Sequence, residues 1–184
     1  MDLLDFTGEE MYFDRPLPAG VDALIAEAAE HYGDADVDDR AELCLLRANF
    51  LAPAHLTVLV ALYRFFYYRQ RYAEAVTVAD RAIAAAAREL GVPEDWRSLS
   101  DADLGHAVQQ SMALTRFLLL ALKGAGYLLM RLEQPEAALE RLEKAAAFDE
   151  ADRLGLRELL DWARKAVTKD RARSSGGKVR YIGG

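Results

Sequence analysis

Three histidines, His31, His55 and His106, and a single cysteine, Cys44, are the side chains of this 184-residue chain best suited to metal binding or nucleophilic attack. A metal centre needs clustered ligands at fixed spacing, and neither CxxC nor HExxH occurs, so neither a metal nor another cofactor is expected. His31 and His55 flank the segment that carries Cys44 and could approach one another, although isolated histidines more often cap helices or face water. Cys44 stands beside Leu45 and Leu46, the setting of a small core residue with an inert thiol. Gly124-Ala125-Gly126 superficially has the shape of a phosphate loop, but no strand precedes it as the dinucleotide fingerprint requires. Close helix packing accounts better for both glycines. Glu9-Glu10 and Asp38-Asp39 lie in acidic stretches with nothing to desolvate them and raise a pKa for acid or base work. No catalytic activity and no small-molecule substrate are expected.

Binding chemistry is another matter. Tyr63-Arg64-Phe65-Phe66-Tyr67-Tyr68-Arg69-Gln70-Arg71-Tyr72 packs more aromatic rings into one segment than a helix can bury, so some must lie at a rim or on the surface. Tyr and Arg are frequent anchors of protein interfaces, because each offers large area and a polar tip at modest entropic cost.

The elements that position these residues follow from an internal repeat. Ala41, Leu45, Ala48 and Pro53 align with Ala75, Ala79, Ala82 and Ala87 at a constant offset of 34, and again with Ala138, Leu142, Ala145 and Glu150 after a step of 63, which is 34 plus an insertion of 29. The preceding segments align in columns Ile25/Leu59/Leu122, Ala28/Leu62/Ala125, Ala29/Tyr63/Gly126 and Tyr32/Phe66/Leu129. Steps of three and four define one helical face. The pattern resembles the tetratricopeptide repeat, two antiparallel helices in 34 residues with a small residue where they cross. The resemblance implies an all-α solenoid of antiparallel helix pairs, with copies at about 22–55, 56–89 and 119–152. The family's Trp is missing from all three copies, its Gly survives only as Gly126, and the first copy has an acidic loop, Gly33 to Asp39, where the others have a tight turn.

Gly91, Pro93 and then Ser100-Asp101-Ala102-Asp103 read as a helix stop, a loop and a capped helix start. The insertion spans 90–118, and from Asp101 to about Leu132 the pattern stays helical, longer than one repeat helix, so an extended first helix, or a short helix followed by a long one, is expected to project from the stack. Leu154, Leu156, Leu159, Leu160, Trp162 and Ala163 suit a capping helix over 150–167. Residues 1–20 form an acidic N-terminal segment ahead of a helical-repeat domain over 21–167, and 168–184, rich in Ser and Gly, reads as a basic flexible tail.

With 52% hydrophobic and 29% charged residues, the chain can bury an ordinary core, and 12 Gly with 5 Pro favour helices over a sandwich or barrel. The net charge of −7 is uneven: residues 1–50 carry 13 acidic groups against Arg15, Arg40 and Arg47, whereas 168–184 carry five basic groups against Asp170. An acidic first quarter argues against nucleic acid. The longest apolar run, Phe117 to Leu122, is far short of the roughly 20 residues that cross a bilayer. No membrane association is expected, and one unpaired cysteine suits the cytoplasm.

In a stack of the resembled kind the first helix of each pair lines a concave groove. Arg64, Tyr67, Tyr68 and Arg71 would face it from the second copy, and Lys123, Tyr127, Met130 and Arg131 from the third. In tetratricopeptide domains that clamp a partner's C-terminal carboxylate, Lys and Asn hold set groove positions; Lys123 fits one, while Arg64 and Tyr127 stand where Asn would be. Three blocks, His55 to Tyr68, Leu90 to Trp96 and Leu120 to Leu128, resemble the small repeat proteins of bacterial nitrogen-fixation clusters, typified by nitrogenase-associated factor T. That resemblance implies a cytoplasmic accessory protein that binds the molybdenum-iron component of nitrogenase in a damaged or immature state; it transfers no functional residue. The expected function is a non-catalytic adaptor that binds a client protein, with a homo-oligomeric scaffold or signalling adaptor as the alternative.

Overall fold

Helices here begin and end where orphan backbone groups find partners. In the computed structural model, which describes residues 15–31 and 38–176, these are α1 (Val21–Glu30), α2 (Asp38–Leu51), α3 (Leu56–Tyr68), α4 (Tyr72–Leu90), α5 (Asp101–Gln110), α6 (Met112–Arg131), α7 (Pro135–Ala147) and α8 (Arg157–Gly176), with one 3-10 turn at Trp96–Ser98. No strand occurs among the described residues. The acidic loop after His31, Tyr32, most of the N-terminal acidic segment and residues 177–184 lie outside them.

The repeat is visible in the turns. α3 and α6 both end with a left-handed residue, Gln70 at φ 58° and Glu133 at φ 57°, which occupy the same column 63 positions apart. In each, the amide one residue on donates back to the helix, Arg71 to the Phe66 carbonyl and Gln134 to the Leu129 carbonyl, both at 2.9 Å. This is the paired C-terminal cap that usually demands glycine. Gly91, at φ 69°, closes α4 in the same way through the Val92 amide and the Ala87 carbonyl. Ser100 opens α5 with the expected reciprocal cap to Asp103.

Each helix packs on the next, α1 on α2, α2 on α3, α3 on α4, then α4 on α6, α6 on α7 and α7 on α8, which makes an all-α solenoid of antiparallel pairs. Ala41, Ala75 and Ala138 are all fully buried, as are the next two columns, Leu45/Ala79/Leu142 and Ala48/Ala82/Ala145. The fourth column does not survive. Ala87 is buried inside the 19-residue α4, but Pro53 and Glu150 lie past the ends of the shorter α2 and α7 and are exposed. On the first helices the columns are buried in α3 and α6, whereas in α1 Ala28 is buried, Ile25 half-buried and Ala29 exposed.

The insertion resolves into a short helix followed by a long one, broken at Ser111, whose extended backbone (φ −161°) caps α6 through its hydroxyl. It does not project as expected. Two guanidinium groups lie over the Trp96 ring, Arg97 at 4.3 Å and Arg141 at 5.2 Å from its centre. Arg141, itself buried, grips the Asp80 carboxylate with both terminal nitrogens, and Lys144 donates to the Arg97 and Leu99 carbonyls at 3.0 and 2.6 Å. The loop is thereby folded onto α7, while α5 rests on α6 with only Ala107 buried. The last helix also exceeds expectation: α8 runs to Gly176 rather than stopping near residue 167, with Leu156, Leu160, Ala163 and Val167 forming its buried stripe.

Gly126 and Gly105 should respond oppositely to alanine. A Cβ at Gly126 would meet Cγ and Cδ2 of buried Leu142 at 2.8 Å, whereas Gly105, in the middle of α5, has nothing within 4 Å. Gly126→Ala is expected to lower unfolding free energy by about 1–2 kcal/mol despite the better helix former. Gly105→Ala should raise it by about 0.5–1 kcal/mol. Urea denaturation of the two proteins checks both signs.

Candidate protein-interaction surface

The aromatic surplus of α3 settles into two layers. Tyr63, Phe65 and Phe66 point inward and are buried; Tyr67 is half-buried and Tyr68 is 50% exposed. Tyr67 is the hub of a ring cluster, stacked on Tyr63 with centroids 6.1 Å apart, edge-on to Tyr68 at 5.4 Å and tilted against Tyr72 at 6.4 Å. The band continues onto α6. The Arg131 guanidinium lies 4.9 Å from the Tyr72 ring centre and donates to the Tyr127 hydroxyl at 3.2 Å. Tyr127 in turn leans on Trp162 of α8, with centroids 6.3 Å apart and the indole 42% exposed. Four helices, α3, α4, α6 and α8, thus contribute to one strip of rings and cation.

Beside Tyr68 the surface opens into a cleft of about 330 Å³ between α1, α2 and α3, lined by Ile25, Ala28, Leu45, Ala61, Arg64 and Tyr68. Its apolar floor with Arg64 and the Tyr68 ring at the edge can hold an apolar side chain and a polar group next to it.

Of the eight predicted contact residues, Arg64, Tyr67, Tyr68, Tyr127 and Arg131 belong to this strip and cleft. The other three do not. Arg71 is a structural tie: it donates to Glu42 of α2 at 2.7 Å and Glu74 of α4 at 2.9 Å, with its guanidinium 4.6 Å from the Phe66 ring centre. Met130 is buried. Lys123 is only 9% exposed, and its ammonium donates to the Leu154 carbonyl in the loop before α8. A groove role for Lys123 and Met130 is therefore corrected, because α6 is buried on nearly every side along this stretch. Tyr72 and Trp162 were missed. The buried stripe of α8 at 156, 160, 163 and 167 leaves position 162 off its face, and that spacing was the available signal.

The candidate chemical groups are placed as follows. Cys44 is buried, and desolvation followed by the nearby Glu27 carboxylate pushes its thiol above the ordinary value, the opposite of an activated nucleophile. His31 ends α1 and His55 precedes α3, so the two stand at opposite ends of α2, about 20 Å apart at 1.5 Å per residue, and do not meet. His55 Nε2 instead donates to the Arg15 carbonyl at 3.1 Å. Among the described residues no group of three or more His, Cys, Asp or Glu is placed to hold a metal ion. One described helix, α6, is long and apolar enough to cross a membrane by length and composition, a property the short run Phe117 to Leu122 did not convey; most of it is buried in the stack.

Desolvation pulls the Lys123 pKa below its ordinary value against the smaller opposing pull of Asp152 and Asp149. The folded protein therefore binds fewer protons here than the unfolded chain, and this site's contribution to stability rises with pH between the lowered folded pKa and the unfolded value of about 10.4. Lys123→Met is expected to remove that rise, so that the stability of the native protein minus that of the variant increases on the alkaline side and is flat near neutral pH. Denaturation curves of both proteins across that range measure it.

No family model matches the chain, and no solved structure does. A 19.8 kDa protein encoded in the region 5′ of nifW in Azotobacter chroococcum mcd 1 is 44% identical over 164 residues, which is 88% of this chain and 88% of that protein. The relative thus lies in a nitrogen-fixation gene region, and at this identity and coverage the chain belongs to the same family as that nifW-adjacent protein.

Proposed function

We propose that this protein is a non-catalytic, tetratricopeptide-like adaptor that binds a client protein, and that the client is a metalloenzyme of nitrogen fixation, the molybdenum-iron component of nitrogenase. The observation that carries the binding role is the strip of rings and cation running from Tyr68 through Tyr67, Tyr72, Arg131 and Tyr127 to Trp162. Burial of the core does not require it. Rigid aromatics braced by one another lose little entropy on contact, and water-facing edges at Tyr68 and Trp162 leave area for a partner to cover. The gene region of the relative supports the choice of client. The reading includes a cytoplasmic setting, which a lone buried thiol suits. Cys44 is held as a structural hydrophobe, in keeping with a role that uses no covalent chemistry.

The test is capture by the tagged full-length chain from cells fixing nitrogen. Recovery of molybdenum-iron protein subunits is expected, and recovery of none overturns the named client. Tyr68→Ala combined with Arg131→Ala should weaken capture about tenfold while leaving the melting curve nearly unchanged, since both side chains are exposed. Undiminished capture by that variant would show that the strip is not the binding surface. A solution mass at an integer multiple of 20.4 kDa, with no client recovered, would favour a homo-oligomeric scaffold.

A further inference from the structure

α2 carries a second surface, remote in composition from the aromatic strip. Its inner face, Ala41, Cys44, Leu45 and Ala48, is buried. Its outer face is also apolar: Leu43, Leu46 and Phe50 recur at steps of three and four, Leu51 adjoins them, and all four are exposed, Phe50 to 85%. A helix that is apolar on both sides needs cover on both, and a contiguous exposed stripe of this kind marks an interaction site. The exposed Arg47 stands within the stripe, one helical turn from Leu43.

The chain itself supplies matching chemistry next to one end of that stripe. Arg15 is fixed on the fold by its carbonyl, which accepts from His55 Nε2 at 3.1 Å, and by its guanidinium, 3.3 Å from the Glu89 carboxylate. His55 lies four residues past Leu51, so the polypeptide leading up to Arg15 meets the fold at the end of α2 that bears Phe50. Residues 1–14 contain Leu3, Leu4, Phe6, Met11, Tyr12 and Phe13, together with five carboxylates and no Lys or Arg. Fourteen residues can reach about 46 Å, against about 21 Å for the whole of α2. Tethering supplies an effective concentration on the order of millimolar, an advantage that a second copy or a free partner lacks.

We propose that residues 1–14 dock across the outer face of α2, their apolar side chains covering Leu43, Leu46, Phe50 and Leu51 and their carboxylates facing Arg47. The occupant is this chain's own N-terminal segment, selected by complementary charge, apolar content and point of attachment. The surface is distinct from the strip assigned to the client and does not rest on that assignment.

The test places a photo-crosslinking residue in the full-length chain as Phe6→p-benzoylphenylalanine, which keeps an aromatic ring at that position. After illumination and trypsin digestion, the expected product is a crosslink within one chain to the peptide 41–47 or 48–64. Leu46→Asp with Phe50→Asp should lower its yield at least about tenfold, because two apolar contacts are lost and two repelling charges added. Arg47→Glu, a single change at an exposed position, should lower it about fivefold and carries the test should the double variant melt early. A crosslink joining two chains, with a doubled solution mass, overturns the proposal in favour of a second copy. Crosslinks confined to other peptides, or a yield indifferent to both variants, overturn it outright.

Discussion

Close approach of helix backbones across small side chains is the constraint on which this structure depends. Ala41, Ala75 and Ala138 sit at zero exposure where the members of each pair cross, and Gly126 admits Leu142 to a distance no Cβ would tolerate. Helices brought this near leave room for one layer of larger side chains on either side, which Leu45, Leu59, Leu62, Leu122 and Leu142 fill completely. Interiors are packed to crystal-like density, so a larger residue at any of the three alanines would separate a pair and open the layers beside it. The rest of the fold, including where its rings end up, follows from that spacing.

With the interior filled by alanine and leucine, the rings of α3 cannot all enter. Tyr63, Phe65 and Phe66 take the available space, and Tyr67 and Tyr68 are displaced outward against Tyr72. The cations divide in the same way. Arg71 and Arg141 are engaged in holding helices together through Glu42, Glu74 and Asp80, whereas Arg131 contacts rings at the surface. What remains outside is therefore a residue of packing, and it runs from α3 over α4 and α6 to α8.

Much of this was legible in the residues themselves. Ladders at an offset of 34 located the helix pairs because alanine and leucine at steps of three and four have one physical meaning in a chain poor in Gly and Pro. Positions outside the helices defeated the same ladders: Pro53 and Glu150 continued the arithmetic after α2 and α7 had ended. Lys123 illustrates a harder limit. A lysine in an apolar helix reads as the cation at a groove, yet the carbonyl that accepts from it, at Leu154, lies 31 residues away in a loop with no repeating pattern. Trp96 is similar, since its clamp by Arg97 and Arg141 is a tertiary contact between an insertion and a repeat, and local spacing carries no trace of it.

Kinship with a protein encoded beside nifW places this chain in a family with a member in a nitrogen-fixation gene region. The cleft between α1 and α3 has a separate implication. Ile25, Ala28 and Ala29 of the first pair face Ala61, Arg64 and Tyr68 of the second across it. A side chain wedged there would tie the first pair to the second and stiffen the joint between them.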